Sequence, residues 1–282
     1  MNSFRFVRYS ALCALTLLSL SACKLTSTSL PAISDSGVAR TGQVVWHDLV
    51  TPDLAGSQAF YAQVFGWQFT TIGDEYLLIS KDGITLGGMA ELNTRGRNSH
   101  WLGLISVTDI DSAIKHTQTA GGKVLVDKTY IDGRGDVAVL QDPQGAVFAL
   151  ITAVKGDPAM LSAKNDQWLW QEVWSDDPST SQAFYRQLAS YQADQKSING
   201  HDYAFFRTGD QAAFGFVKKS DPQIGNTWVN YIKVENVNAA VAKVTQAGGT
   251  ILMAPSVDIR QGTVAIISDP FGAGLVLQEM AK

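Results

Sequence analysis

Cysteine is scarce in this chain, with two in 282 residues, which excludes a disulfide scaffold. Charge is also sparse. Lys and Arg number 22 against 26 Asp and Glu, for a net charge of −4, and no run of basic residues occurs. The electrostatic footprint of a nucleic-acid binder is therefore missing. Histidines number four, and the chain carries no HExxH pair, no GxSxG elbow and no P-loop. The apolar run Ala11–Leu20 is too short to span about 30 Å of hydrocarbon. What is present is ordinary globular material: 45% hydrophobic residues, with 25 Gly and 8 Pro. That excludes disordered, collagen-like and coiled-coil chains. At roughly 150 residues per domain, the length suggests two domains.

The N-terminus reads as an export signal. Arg5 and Arg8 precede the apolar run, and the small residues Ser21 and Ala22 lead into Cys23. Leu20-Ser21-Ala22-Cys23 resembles a bacterial lipobox, which implies cleavage before Cys23 and lipidation of its thiol and amine. Residues 1–22 are then signal peptide, Cys13 is discarded with them, and the mature chain has no free thiol, as suits an oxidising compartment. Residues 23–42, rich in Ser and Thr, read as a flexible tether. Lys24 is not the Asp that retains such proteins in an inner membrane. The expected location is the cell envelope, anchored on the periplasmic side and at the outer membrane.

The remainder is written twice. SQAFYAQVFGWQF (57–69) recurs as SQAFYRQLASYQA (181–193), identical at seven of thirteen positions. SVTDIDSAIKHTQTAGGKVL (106–125) matches KVENVNAAVAKVTQAGGTIL (233–252), DPQGAVFAL (142–150) matches DPFGAGLVL (269–277), and Trp101 matches Trp228. The last three matches share an offset of 127. The chain is a tandem duplication, with domains at 43–153 and 167–280 and a polar linker at 154–166. A monomer with its two domains paired against each other is expected.

In the first copy the pattern predicts a strand over Gln43–Val50 and a helix from Asp53 to Phe65. A hairpin at YLLIS-KD-GITLGGMAEL follows, then a strand at Trp101–Val107 and a helix from Ile110 to Ala120. Strands at Asp136–Gln141 and Ala146–Ile151 close the half. Strand–helix–strands, twice per half, is an α+β pattern of paired βαβββ units.

TPDLAGSQAFYAQVFGW, the VTDIDSAI…AGG block and DPQGAVFAL resemble the vicinal-oxygen-chelate superfamily of glyoxalases, bleomycin-resistance proteins and extradiol dioxygenases. WHDLVTPD with FYAQVFGW is similar to its tandem-domain glyoxalase-like branch. The resemblance covers both halves. It implies two such domains, each a pair of βαβββ units forming a curved mixed sheet around a cavity. It also implies a divalent metal held by His, His and Glu. The positions that carry these ligands in the family fall here on Trp46, Leu102 and Ala149, and in the second copy on Trp170, Val229 and Val276. None can bind a metal. His47 is one residue out of register, on the opposite strand face. It leaves one route to a metal site open; its alternative is a partly buried imidazole bonded to backbone. His100 is expected at the surface and His116 facing solvent. No metal and no cofactor is predicted.

Period-two alternation puts Asp48 on the face of Trp46, and Glu172 on the face of Trp170. Each cavity would then hold an aromatic wall and a carboxylate, suited to a small ligand with an apolar body and a polar or cationic group, or to general-base chemistry. The alternative is a structural Trp N–H bonded to the carboxylate. Trp101, Trp228 and Tyr231 read as core. Arg134 and Arg260, in matching loops, are candidates for an anionic ligand. The first copy is expected to be the more active, because it keeps FGW where the second has ASY. Three readings stand: a membrane-tethered, metal-independent binder of a small, partly apolar molecule; a glyoxalase- or hydroxylase-like enzyme on a small oxygenated substrate; and an envelope scaffold with vestigial cavities.

Overall fold

A computed structural model describes residues 29–73, 75–91, 98–198 and 201–280. The signal region and Cys23 lie outside them. The first half runs β1 (Val44–Thr51), α1 (Leu54–Phe65), β2 (Gln68–Ile72), β3 (Tyr76–Lys81), β4 (Ile84–Glu91), β5 (His100–Ser106), α2 (Ile110–Thr119), β6 (Lys123–Ile131), β7 (Gly135–Gln141), β8 (Val147–Ala153). The second runs β9 (Trp168–Ser175), α3 (Pro178–Tyr185), β10 (Gln192–Ile198), β11 (His201–Thr208), β12 (Gln211–Lys218), β13 (Thr227–Val234), α4 (Val237–Gln246), β14 (Thr250–Met253), β15 (Val264–Ser268), β16 (Gly274–Glu279). Each half forms one eight-stranded sheet, in the orders β2-β3-β4-β1-β5-β8-β7-β6 and β10-β11-β12-β9-β13-β16-β15-β14. β1 runs parallel to β4 and β5 parallel to β8, while β1 and β5 are antiparallel, so two βαβββ units meet at the sheet centre. This is the expected α+β tandem architecture.

Local chemistry sets the helix starts. Asp53, Asp109, Asp177 and Asn236 all hold extended backbone, and their side chains accept N–H groups from the first helical turn. Each such cap is worth about 1 kcal/mol. Gly66, in the left-handed region at φ 65°, stops α1. Two strands of the first half escape the sequence pattern. β2 and β6 are the outer edges of their sheet and are largely exposed, so QFTTI and KVLVDKTYI carry no clean alternation.

The halves share their cores crosswise. One core joins Phe60, Tyr61, Phe65 and Met89 of the first unit to Ile232, Val244, Ile267 and Leu275 of the last. The other joins Ile105, Leu140 and Phe148 to Tyr185, Phe206 and Phe214. The repeated sequence blocks make this join. Tyr61 of the FY pair donates to Asp269 of the DPFG turn (3.2 Å) and accepts from Trp101 (2.8 Å). Symmetrically, Tyr185 donates to Asp142 of the DPQG turn (3.0 Å) and accepts from Trp228 (2.9 Å). Both tryptophans are core, and the crossed bonds close the domains on one another.

Residues 23–28 of the expected flexible tether lie outside the described residues. From residue 29 onward it is packed on the first domain. Leu30 and Ile33 are buried, the first with Tyr76 and Ala90, the second with Trp46, Leu104 and Ile151. Two apolar side chains in a polar stretch suffice to fold the segment back, because each recovers about 1.5–3 kcal/mol on burial. The linker helps: buried Asp157 accepts from the Arg40 N–H (2.6 Å) and the Ser106 hydroxyl (2.6 Å). Among the described residues no helix is long and apolar enough to cross a membrane.

Candidate functional site

Both sheets pack one face against the other domain and turn the other outward. On β9 the outward residues are Trp170, Glu172 and Trp174, and they build a cup. Glu172 is buried at its floor. Its Oε1 accepts from the Tyr203 hydroxyl (2.7 Å), and its Oε2 from the Tyr231 hydroxyl (2.5 Å) and Trp174 Nε1 (2.8 Å). Trp170 Nε1 donates to the Tyr203 oxygen rather than to the carboxylate. Burial first, then the charge of Glu172, pushes both phenols above their usual pKa of 10, so they stay protonated and keep donating. Gly215 makes this possible, because a Cβ there would sit 1.8 Å from the Tyr203 hydroxyl.

Above this floor lies a cavity of 540 Å³ with apolar walls that include Leu169, Ile198, Phe205 and Met280. Two cations stand at its edge. Arg260 lies 3.8 Å from Glu172, bonds Gln278 (3.1 Å) and sits over the Tyr231 ring. Lys196 lies over the rings of Tyr203 and Phe205. Glu172 already accepts three hydrogen bonds, and beside it the cavity offers a ligand its aromatic walls, the two cations and the polar residues Gln261, Thr263 and Gln278.

The first cup repeats the chemistry. Asp48 Oδ1 accepts from Trp46 Nε1 (2.8 Å) and the Tyr76 hydroxyl (2.6 Å). Arg134 reaches Asp48 (3.5 Å) and the Tyr76 oxygen (3.0 Å), with its guanidinium stacked over Trp46 and Tyr76. Here the indole N–H bonds the carboxylate directly, the structural contact weighed above. In this cup Arg134 is buried, Asp48 keeps 20% exposure, and Leu30 and Ile33 cover part of the walls. Among the described residues, the 540 Å³ cavity belongs to the second copy. Trp67 of FGW serves the fold: it is buried in the shared core and donates to the Asp166 carbonyl (2.7 Å).

The structure thus brings Trp46, Asp48 and Arg134 together, and Trp170, Glu172 and Arg260. Sequence reasoning missed Tyr76 and Tyr203; Tyr231, read as core, is buried as expected and also donates to Glu172. A signal existed, since Tyr76 and Tyr203 lie at the same offset of 127 as the recognised blocks.

His47 points to neither cup. It lies between the domains, stacked on Trp168 at 4.1 Å between ring centres, with its Nε2 3.1 Å from the Gln171 amide nitrogen. Its partner is a side chain, not backbone. Burial pulls its pKa down to about 3, so it is neutral. His100, expected at the surface, is largely enclosed, and burial lowers its pKa. His116, expected to face solvent, stacks on Phe184 and bonds its carbonyl (3.1 Å) across the interface.

The residues present do not fit the metal that the resemblance implies. The family's ligand positions hold Trp, Leu, Val and Ala side chains, which offer no donor to a divalent ion. Both oxygens of Glu172 are already taken by hydroxyl and indole donors. Among the described residues no three His, Cys, Asp or Glu side chains converge.

Comparison with known proteins agrees with the architecture. The family model Glyoxalase/Bleomycin resistance protein/Dioxygenase superfamily matches twice, over residues 41–150 and 169–277. The anthracycline biosynthesis protein DauV of Streptomyces sp. is 29% identical over 267 residues, covering 86% of this chain and 94% of its own. CFP32 of Mycobacterium tuberculosis, whose name carries a provisional glyoxylase assignment, is 28% identical over 243 residues, covering 83% and 93%. The Mn(II)-bound glyoxalase of Novosphingobium aromaticivorans superposes with a TM-score of 0.56 at 12% identity, covering 86% of this chain and 83% of that one. That likeness is one of fold.

Proposed function

The chain belongs to the Glyoxalase/Bleomycin resistance protein/Dioxygenase superfamily, and from that premise we propose that it is a binding protein that works without a metal. Its second cup takes a small, flat, partly apolar molecule carrying an acidic oxygen. The observation that carries this is the Glu172 floor, held by two hydroxyls, under a 540 Å³ apolar cavity lined by the cations Arg260 and Lys196, while the carboxylate of the lining residue Glu279 is engaged by the Val237 N–H. Aromatic walls favour a planar body, and guanidinium and ammonium groups favour an anion. Cys23 tethers the protein through acyl chains to the envelope, on the periplasmic side and at the outer membrane, and a single chain with paired domains suffices.

The test is a calorimetric titration of the full-length chain with 1-naphthoate. One equivalent binds, EDTA changes nothing, and Arg260→Met weakens binding about tenfold, as loss of a charged hydrogen bond requires. No saturable binding, or binding abolished by EDTA, overturns the proposal. A second reading, a glyoxalase- or hydroxylase-like enzyme on a small oxygenated substrate, draws on the names of the two relatives. It requires Glu172 to let go of Tyr203 or Tyr231 during turnover.

A further inference from the structure

We infer that the first cup is a second binding site, for a carboxylate-bearing apolar molecule, and that the chain's own residues 29–37 cover it. The argument begins with Arg134. The side chain is 1% exposed, and its Nε and Nη2 have no partner among the described residues. Among the described residues its bonds go through Nη1, to Asp48 and Tyr76. Nε and Nη2 form one complete edge of the guanidinium, the edge that grips a carboxylate with two parallel hydrogen bonds. A buried cation with that edge unused is costly, because each enclosed N–H group has lost water without gaining an acceptor. The remaining surroundings are those of a ligand wall: Trp46 lies 4.7 Å under the guanidinium, with Leu102, Leu104 and Val139 beside it.

The cover is built to fit, but it is laid on the sheet rather than woven into it. Gly133, at φ 77°, lets the chain approach closely, since a Cβ there would meet the Leu30 carbonyl at 2.2 Å. Leu30 N–H bonds the Asp132 carbonyl (3.0 Å), and Gly37 N–H bonds the Lys155 carbonyl (2.9 Å). Between those two points, among the described residues, the backbone of residues 31–35 bonds to no other part of the fold. Leu30 and Ile33 hold this stretch by apolar contact, to which the exposed Asp35–Lys155 ion pair (3.8 Å) adds little. A ligand with an apolar body can replace that contact, and its carboxylate satisfies the Arg134 edge, which the segment does not. The apparent affinity of the first cup is then its intrinsic affinity reduced by the fraction of molecules with the segment lifted.

The test uses the full-length chain carrying Leu30→Ser with Ile33→Ser. Against 1-naphthoate, wild type binds one equivalent, in the second cup. The double variant binds two, the new one on the order of a hundredfold tighter than any first-cup binding detectable in wild type. Adding Arg134→Lys keeps the charge, removes the fork and abolishes the new equivalent only. Adding Arg260→Met weakens the other equivalent only, so failure of the second-cup reading and failure of this one are distinguishable. A double variant that binds a single equivalent overturns the inference, as does a second equivalent indifferent to Arg134→Lys. Should the double variant fail to fold, hydrogen exchange on wild type decides. Millimolar 1-naphthoate accelerates exchange of the Leu30 and Gly37 amides if the segment lifts, and unchanged exchange at saturation overturns the inference.

Discussion

Acidification from pH 7 to pH 5 attacks the domain interface through His47. The folded imidazole is fully enclosed, stacked on Trp168 and set against Gln171, and burial holds its pKa at about 3. In the unfolded chain it titrates near 6.5. A group whose folded pKa is depressed takes up its proton only on unfolding. The stability it protects is therefore complete above pH 6.5 and is lost as pH falls from 6.5 towards 3. The slope in that window is about 1.4 kcal/mol per pH unit. Integrated from pH 7 to pH 5, the loss is about 2 kcal/mol. Urea unfolding followed by tryptophan fluorescence measures it, and Trp101 and Trp168, packed edge to face beside His47, report on the interface itself. His47→Gln removes the titrating group, so wild type should lose about 2 kcal/mol more than the variant over this range. His100 is enclosed as well but is common to both proteins and cancels in the comparison. Equal pH dependence in the two proteins would refute the burial argument.

Two further outcomes are expected. Gly215→Ala drives a Cβ to 1.8 Å from the Tyr203 hydroxyl; it should cost about 1–3 kcal/mol in denaturant unfolding and weaken 1-naphthoate binding, and an unchanged unfolding midpoint contradicts the packing of the second cup. Cys23→Ser should abolish incorporation of labelled palmitate and release the protein from the membrane fraction. A variant that still sediments with membranes and still carries label disproves the anchor.

The duplication, the helix starts and the aromatic–carboxylate pairing on β1 and β9 were legible in the sequence, because each depends on local rules. A capping Asp acts within one turn, and alternation in a strand is steric and short-ranged. The same locality explains what was missed. β2 and β6 pair along one edge only and face water, so nothing in their composition demands a pattern. Tyr76 and Tyr203 reach their carboxylates from a neighbouring hairpin, 28 and 31 residues along the chain. His47 looked like a displaced ligand until Trp168 of the other domain closed over it. The covering of the first cup's walls was settled by two apolar side chains, Leu30 and Ile33, in a stretch that otherwise reads as solvated. The alternation rule sets which face of a strand a side chain takes. What lies against that face is decided by burial free energy between distant parts of the chain, and only the folded molecule expresses it.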